Sequence, residues 1–311
     1  MSAYTLARRC AQMGALALFC ALPWANWAGL GQIRGSLFSL HFLGLPFADP
    51  VAAAQVAAGG MPPSGALLWG ALCSLALALL MGRVFCSWFC PYGLFSELVF
   101  AARSRMTRRH GAPIREAGQG AGLGTGLKAG FKVGPAARRS RSGRAFAAKG
   151  AVLFLGLLLT GLLGYPALNL LAMPGELSLF PLLVWQGAGA ALLFFAVLLP
   201  LAALLIEAVS GKRLWCRHVC PQSVMLGAAA RCLPSRGPGL RVSWHAAHCT
   251  CKGERPCRQA CSLELDPRQP GGPDRRDCTM CGDCLRACAD RGGALRWAAL
   301  GRGKARPHRD A

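Results

Sequence analysis

The sequence predicts an α-helical membrane protein that ends in a small cysteine-rich domain. The 311 residues are 53% hydrophobic and only 15% charged, with a mean hydropathy of +0.36. Four long apolar segments precede residue 210, and eight of the 16 cysteines fall between residues 249 and 288. A chain this apolar does not have the composition of an ordinary soluble domain.

Each of the four apolar segments is long enough to cross a bilayer as a helix. They cover about residues 11–30, 66–89, 150–173 and 186–209. A signal peptide is an alternative for the first segment, because Arg8 and Arg9 precede its apolar core. The apolar stretch continues to Leu30, however, so a retained first helix is expected.

The basic residues give a net charge of +22 and lie mainly between and beside the apolar segments. Residues 101–150 contain twelve Lys or Arg and one acidic residue, whereas residues 174–186 contain neither Lys nor Arg. Cytoplasmic loops of membrane proteins are enriched in Lys and Arg. The asymmetry predicts a multi-pass protein of the bacterial inner membrane with both termini in the cytoplasm. It does not favour a nucleic-acid partner.

The last four cysteines, Cys278, Cys281, Cys284 and Cys288, have the spacing C-x2-C-x2-C-x3-C. This is the spacing of a bacterial ferredoxin half-site, in which three thiolates hold one [4Fe–4S] cluster and the fourth reaches another. Four earlier cysteines form an irregular copy with the spacing C-x-C-x5-C-x3-C: Cys249, Cys251, Cys257 and Cys261. Eight thiolates predict two [4Fe–4S] clusters.

The ferredoxin crossover makes a specific prediction about which cysteines share a cluster. Cys249, Cys251, Cys257 and Cys288 would bind one cluster, and Cys261, Cys278, Cys281 and Cys284 would bind the other. Disulfides or a zinc site are the alternatives. A C-x2-C-x2-C run does not match the two separated C-x2-C pairs that are usual for zinc.

A second cysteine motif, C-x3-C-P, follows the second and the fourth apolar segments. Cys86 and Cys90 precede Pro91, and Cys216 and Cys220 precede Pro221. The recurrence suggests duplication of a two-helix unit. Together the two pairs offer four thiolates, which could hold a cluster, exchange electrons as dithiols or bind a metal, or could be buried free thiols at helix ends.

The motifs divide the chain into four regions. Residues 1–110 and 146–235 are predicted to be two-helix membrane units, each ending in C-x3-C-P. Residues 111–145 are predicted to be a Gly/Arg-rich flexible cytoplasmic loop, and residues 236–311 a cytoplasmic ferredoxin-like domain. Residues 31–64 are apolar but broken by Gly and Pro, which suits an outer loop or a re-entrant piece. His41 in this segment is a speculative acceptor of a quinol proton, and a plain position at the headgroup level is the alternative.

The segments CSWFCP, CRHVCP and DCTMCGDCLRAC together resemble the NapH and MauN group of membrane ferredoxin-type proteins. The resemblance covers roughly residues 1–300, apart from the loop at 111–145. It implies four transmembrane helices with cytoplasmic clusters. It also implies transfer of electrons from quinol toward a periplasmic reductase such as nitrate reductase for the NapH branch, and a part in methylamine utilisation for the MauN branch.

The expected function is therefore electron transfer between the quinol pool and a redox partner, which would be an iron–sulfur or cytochrome subunit. The chain would act as an electron-transfer subunit of a quinol dehydrogenase rather than as a stand-alone enzyme. Two alternatives stay open. The chain could be an assembly or maturation factor for a periplasmic metalloenzyme, or a membrane anchor whose clusters are structural.

Overall fold

The computed structural model describes residues 3–29, 33–36, 39–42, 44–109, 135–233, 239–251, 255–269, 272–289 and 291–298. The first half contains, in order, α1 (Ala3–Trp27), β1 (Ile33–Ser36), β2 (Ser39–Phe42), β3 (Leu45–Ala48), α2 (Pro50–Ala58), α3 (Gly65–Met81), α4 (Phe85–Trp88) and α5 (Pro91–Arg109). The second half contains α6 (Pro135–Leu163), a 3-10 turn (Ala167–Leu171), α7 (Met173–Trp185), α8 (Ala190–Ser210), a π-helical turn (Trp215–Val219) and α9 (Gln222–Cys232).

The C-terminal part is short and contains little regular structure. It consists of β4 (Arg241–Trp244), a 3-10 turn (Ala246–His248), α10 (Pro256–Gln259), α11 (Asp283–Ala289) and β5 (Leu295–Ala298). β4 and β5 pair antiparallel, with Val242 opposite Trp297. The cysteine-bearing loops lie between these two strands in the chain, so the strand pair holds both ends of the cysteine segment together.

The helices differ from the predicted spans at their ends. The second predicted span is divided, because α3 ends at Gly82, whose φ of 72° and ψ of −160° suit glycine alone. The third ends at Leu163, before Gly164 and Pro166, and the fourth begins at Ala190. The segment between the third and the fourth predicted spans is helical, because it forms α7. Part of the predicted flexible loop is helical as well, since α6 begins at Pro135, while residues 110–134 lie outside the described part.

The strands β1, β2 and β3 form an antiparallel sheet in that order. β3 packs against the first half of α3 at Gly70, where a Cβ atom would lie 2.9 Å from the Cβ of Ala48. Glycine is therefore needed there for close approach of the helix to the strand. α2 follows directly, with Asp49 as its N-cap and Pro50 at its first turn.

The two halves repeat one order of elements. Each has a long helix, then a shorter helix that begins beside a proline inside the bundle, then an apolar helix, a C-x3-C-P turn and a further helix. The shorter helices are α2 and α7. Val51, in the first turn of α2, and Met173, at the start of α7, both have fully buried side chains. The repeated order supports the duplication that the recurring motif predicted.

One helical stretch in the described residues, Gly143–Leu163, is long and apolar enough to cross a membrane. Two further apolar helical stretches are shorter, namely Gly65–Met81 and Ala196–Ser210. Large apolar side chains on these three stretches point outward, among them Trp69, Leu72, Phe154, Leu162 and Val209.

The C-terminal domain packs on one end of the helical bundle. Lys149 of α6, which is fully buried, forms an ion pair of 2.6 Å with Asp277. The Ser87 hydroxyl donates to the Thr279 carbonyl, and the Leu240 amide donates to the Leu80 carbonyl at 2.8 Å. This is also the end of the bundle where both C-x3-C-P motifs lie.

Candidate iron–sulfur site

Two cavities in the C-terminal domain are each lined by four cysteines. The first cavity is lined by Cys249, Cys251, Cys257 and Cys288, and Trp244 and Arg268 also contribute. The first three cysteines come from the irregular copy of the motif and the fourth from the regular copy. This grouping is the one that the ferredoxin crossover predicted.

The second cavity is lined by the other four cysteines of the domain, Cys261, Cys278, Cys281 and Cys284. Cys261 comes from the irregular copy, so each copy lends its last cysteine to the other cavity. Four sulfur donors around one space are the ligand set of a [4Fe–4S] cluster, and the residues present therefore fit that group. In the described part of the chain, no three His, Cys, Asp or Glu side chains converge closely enough to hold a single metal ion.

All four thiols of the second cavity have raised pKa values. Burial raises the pKa of Cys278 to about 12 and raises the pKa values of Cys261, Cys281 and Cys284 as well. Such thiols stay protonated at neutral pH until iron replaces the proton. In the first cavity burial also opposes ionisation of Cys249, but a hydrogen bond from the Cys251 backbone, the charge of Arg268 and a hydrogen bond from Trp244 together outweigh it, so the pKa of Cys249 is lowered.

The tight loop of the regular motif depends on two residues with positive φ. Met280 has a φ of 55° and Gly282 a φ of 78°, and they flank Cys281. A Cβ atom on Gly282 would lie 2.5 Å from the ring of Tyr4. The Tyr4 ring meets Trp88 edge to face and is tilted against Trp297, with centroid distances of 5.4 and 5.3 Å. The first turn of α1 is thus part of the wall beside this cysteine loop.

Sequence reasoning did not assign a role here to Tyr4 or Arg8. The Tyr4 hydroxyl donates to the Met280 carbonyl at 2.8 Å, and Arg8 donates to the Cys281 carbonyl at 2.5 Å. Arg8 also forms an ion pair with Asp283 at 3.3 Å. A basic residue at the start of an apolar segment indicates the orientation of a helix in the membrane. The contact of Arg8 with the cysteine loop has no signature in the sequence.

The two C-x3-C-P motifs meet at the end of the bundle, and we call Cys86, Cys90, Cys216 and Cys220 the four-thiol centre. Cys90 and Cys216 belong to one packed cluster with Tyr92 and Met173. Burial raises the pKa of Cys220 to about 11, and the nearby Cys86 thiol adds to the effect. The pKa values of Cys90 and Cys216 are likewise raised by burial first and by neighbouring thiols second.

Two buried arginines accompany this centre, and sequence reasoning missed them. Arg83 and Arg213 each precede the first cysteine of a motif by three residues, so both copies read R-x2-C-x3-C-P. The repeat of the arginine was the available signal. His41 lies on β2, where its backbone is opposite Arg34 and Pro46, and its side chain lies outside the described part.

Comparison with known proteins adds a family and several relatives. The family described as "4Fe-4S binding domain" matches twice, at residues 62–110 and 192–241. The chain is 27% identical to the ferredoxin-type protein NapH of Escherichia coli strain K12, over 91% of this chain and 85% of that protein. No solved structure matches.

Two further relatives have the same two names. NapH of Haemophilus influenzae is 26% identical over 91% of this chain and 86% of its own length. The methylamine utilization ferredoxin-type protein MauN of Methylorubrum extorquens is 37% identical over 32% of this chain and 34% of its own length. The two family matches cover the C-x3-C-P segments, and the two four-cysteine cavities lie after them in the C-terminal domain. The chain is therefore similar over most of its length to ferredoxin-type proteins of the NapH kind, and it carries two [4Fe–4S] clusters.

Proposed function

We propose that this protein is an integral membrane subunit that passes electrons between the quinol pool and a redox partner protein. The observation that carries the proposal is the pair of cavities, each lined by four cysteines in the crossed arrangement of a two-cluster ferredoxin. A [4Fe–4S] cluster supplies one-electron chemistry, and its potential is set by charge, burial and hydrogen bonds to sulfur. The names of the relatives, ferredoxin-type NapH and MauN, support the same class of function.

The eight cysteines are the proposed ligands. Cys249, Cys251, Cys257 and Cys288 hold one cluster, and Cys261, Cys278, Cys281 and Cys284 hold the other. The chain adds fixed charges near the second set. Arg8 bonds to the Cys281 carbonyl and Lys149 pairs with Asp277 next to Cys278. Positive charge near a cluster favours its more negative, reduced form and so raises its potential.

The outward-facing apolar surface supports a membrane location. Phe154, Leu162 and Leu163 on α6 and Val209 on α8 are each exposed by more than 60% of their surface. Contiguous exposed apolar surface of this kind needs a lipid or protein partner. The proposed arrangement is four spans, namely α1, α3, α6 and α8, with both chain termini and the cysteine domain in the cytoplasm of a bacterial inner membrane.

Quinol must reach the membrane part of the protein, because it is soluble in lipid. Its oxidation releases two electrons and two protons, and the two clusters together can take both electrons. The partner would be an iron–sulfur or cytochrome subunit that serves a periplasmic reductase such as nitrate reductase. His41, on the strand meander, is a speculative acceptor for one proton.

The first test is anaerobic iron and sulfide analysis of the detergent-purified protein, with EPR after dithionite reduction. Cys288→Ser and Cys261→Ser should each lose about four iron per chain, and they should lose different EPR signals, because their cysteines serve different cavities. Cys232→Ser is the matched control and should lose no iron. Loss of the same signal in both variants would contradict the crossed assignment.

The second test addresses quinol. A water-soluble quinol analogue added anaerobically should bleach the visible absorbance of the wild-type protein in detergent. The Cys261→Ser/Cys288→Ser double variant should lose the part of this change that belongs to the two C-terminal clusters. A wild-type protein with full iron content that is not reduced by quinol analogues, yet is reduced by dithionite, would refute a quinol-linked function.

A further inference from the structure

We propose that the four-thiol centre of Cys86, Cys90, Cys216 and Cys220 holds a third [4Fe–4S] cluster, bound by two cysteines from each half of the duplicated bundle. The inference goes beyond the two clusters of the C-terminal domain. It rests on the proposed electron-transfer function only for its purpose, since the site itself is argued from the residues around the thiols.

The first argument is convergence. The two motifs are separated by about 130 residues in the sequence, yet Cys90 and Cys216 pack in one cluster with Phe85 and Trp215. Cys86 and Cys220 are close enough for the charge of one to act on the other. Four cysteine ligands are what a [4Fe–4S] cluster requires, and neither pair alone supplies them.

The second argument is hydrogen bonding to sulfur. Cys90 immediately precedes α5, and the Gly93 amide donates to its Sγ at 3.4 Å. The Ser223 backbone donates to Cys220 in the equivalent way at the start of α9. Each half therefore presents one sulfur to the N-terminal amides of a helix, where a thiolate is favoured. Amide bonds to the ligand sulfurs are also one of the means by which proteins tune clusters.

The third argument is buried positive charge directed at the site. Arg83 is 1% exposed and Arg213 is 3% exposed. Nη2 of Arg83 lies 3.8 Å from Sγ of Cys86, and the Nε atoms of both arginines have no hydrogen-bond partner in the described part of the chain. A buried guanidinium whose donors are not all satisfied is costly unless an anion is present nearby.

The position of the centre fits a relay. Arg83 spans the two sites, because its Nη1 donates to the carbonyls of Arg276 and Asp277, adjacent to Cys278, at 3.1 and 3.3 Å. The centre lies at the ends of α3 and α8, between the apolar helices and the C-terminal domain. It is also the part of the chain that the "4Fe-4S binding domain" family matches twice, while both matches end before Cys249.

The test is the iron and sulfide content of the full chain, purified anaerobically in detergent. Three clusters predict about twelve iron and twelve sulfide per wild-type chain. Cys86→Ala/Cys216→Ala should lower both to about eight. The control is Cys73→Ala/Cys232→Ala, which removes one cysteine outside the motif from each matched segment and should keep about twelve. Equal helical circular dichroism and equal elution volumes show that both variants are folded.

A wild-type content of about eight iron overturns the third cluster whatever the variants do. So does a wild-type content of twelve that Cys86→Ala/Cys216→Ala leaves unchanged. The proposed function fails by a different result, because it requires Cys281→Ala to remove about four iron from the C-terminal domain. The two failures are therefore separate. Mössbauer spectra of the wild type and of Cys86→Ala/Cys216→Ala should differ by one four-iron component.

Discussion

The ion pair between Asp277 and Lys149 gives a quantitative test of how the C-terminal domain is held on the bundle. The carboxylate Oδ1 lies 2.6 Å from Nζ of Lys149 and 4.0 Å from Nη1 of Arg83. The lysine is fully buried and the Asp277 side chain is 7% exposed. Asp277→Asn would leave two buried cations facing a neutral amide.

The expected loss of stability is large because the buried Lys149 and Arg83 cannot reach solvent. Removing one partner of a buried pair typically costs about 3–5 kcal/mol, since the other charge is left uncompensated. For a chain of this size, each kcal/mol lowers the midpoint of unfolding by about 2–4 °C. Asp277→Asn should therefore lose its cluster absorbance at a temperature about 6–20 °C lower than the wild type.

The assay is thermal loss of the visible cluster absorbance in detergent at one fixed scan rate, because unfolding of such a protein is a rate process. Asp274→Asn is the matched control. It breaks the ion pair with Arg276, in which the arginine side chain is 17% exposed and the Asp274 side chain 26% exposed. Loss of such a pair should cost less than about 1 kcal/mol. Lys149→Met in the Asp277→Asn background should restore part of the loss. Equal midpoints for the two Asp→Asn variants would refute the reasoning.

Two smaller perturbations test other contacts of the same junction. Gly82→Ala should destabilise by about 1–3 kcal/mol, because its backbone conformation is nearly exclusive to glycine, while Gly14→Ala, with open space around it, should be neutral or stabilising in the same thermal assay. Glu264 forms ion pairs with Lys212, at 2.9 Å, and with Arg217. Burial opposes ionisation of Glu264, but the hydrogen bonds and charges of these two residues together outweigh it, so the Glu264 pKa is lowered. A carboxyl group whose pKa is lowered by folding stabilises the folded state at pH values above its unfolded-state pKa. This stabilisation is lost as the pH falls through the folded-state pKa. Glu264→Gln should abolish that part of the acid dependence, at a cost below about 1 kcal/mol because the pair is partly exposed. A wild-type and a Glu264→Gln protein with the same pH profile of thermal stability would contradict this assignment.

The sequence alone predicted the ligand sets of the cysteine domain. The spacing from Cys278 to Cys288 specifies which sulfurs can surround a cluster, because short spacings in one chain limit how far the sulfurs can separate. The same logic predicted that Cys261 and Cys288 exchange partners, and the two cavities place them so. The recurrence of C-x3-C-P likewise indicated a duplicated bundle, which the repeated order of helices supports.

Only the tertiary structure decided what lies next to these sulfurs. Arg83 and Arg213 are ordinary basic residues beside apolar segments in the sequence, yet they are buried at the four-thiol centre. The Tyr4 ring lies against Gly282, although almost the whole chain separates the two residues in sequence. Lys149 forms an ion pair with the distant Asp277. Hydropathy also merged broken helices into continuous spans, since it averages over residues such as Gly82 that end a helix through backbone conformation. Local spacing fixes ligand sets because it acts through the covalent chain. Burial and pairing of charge depend on contacts between distant segments, and these exist only once the bundle has closed.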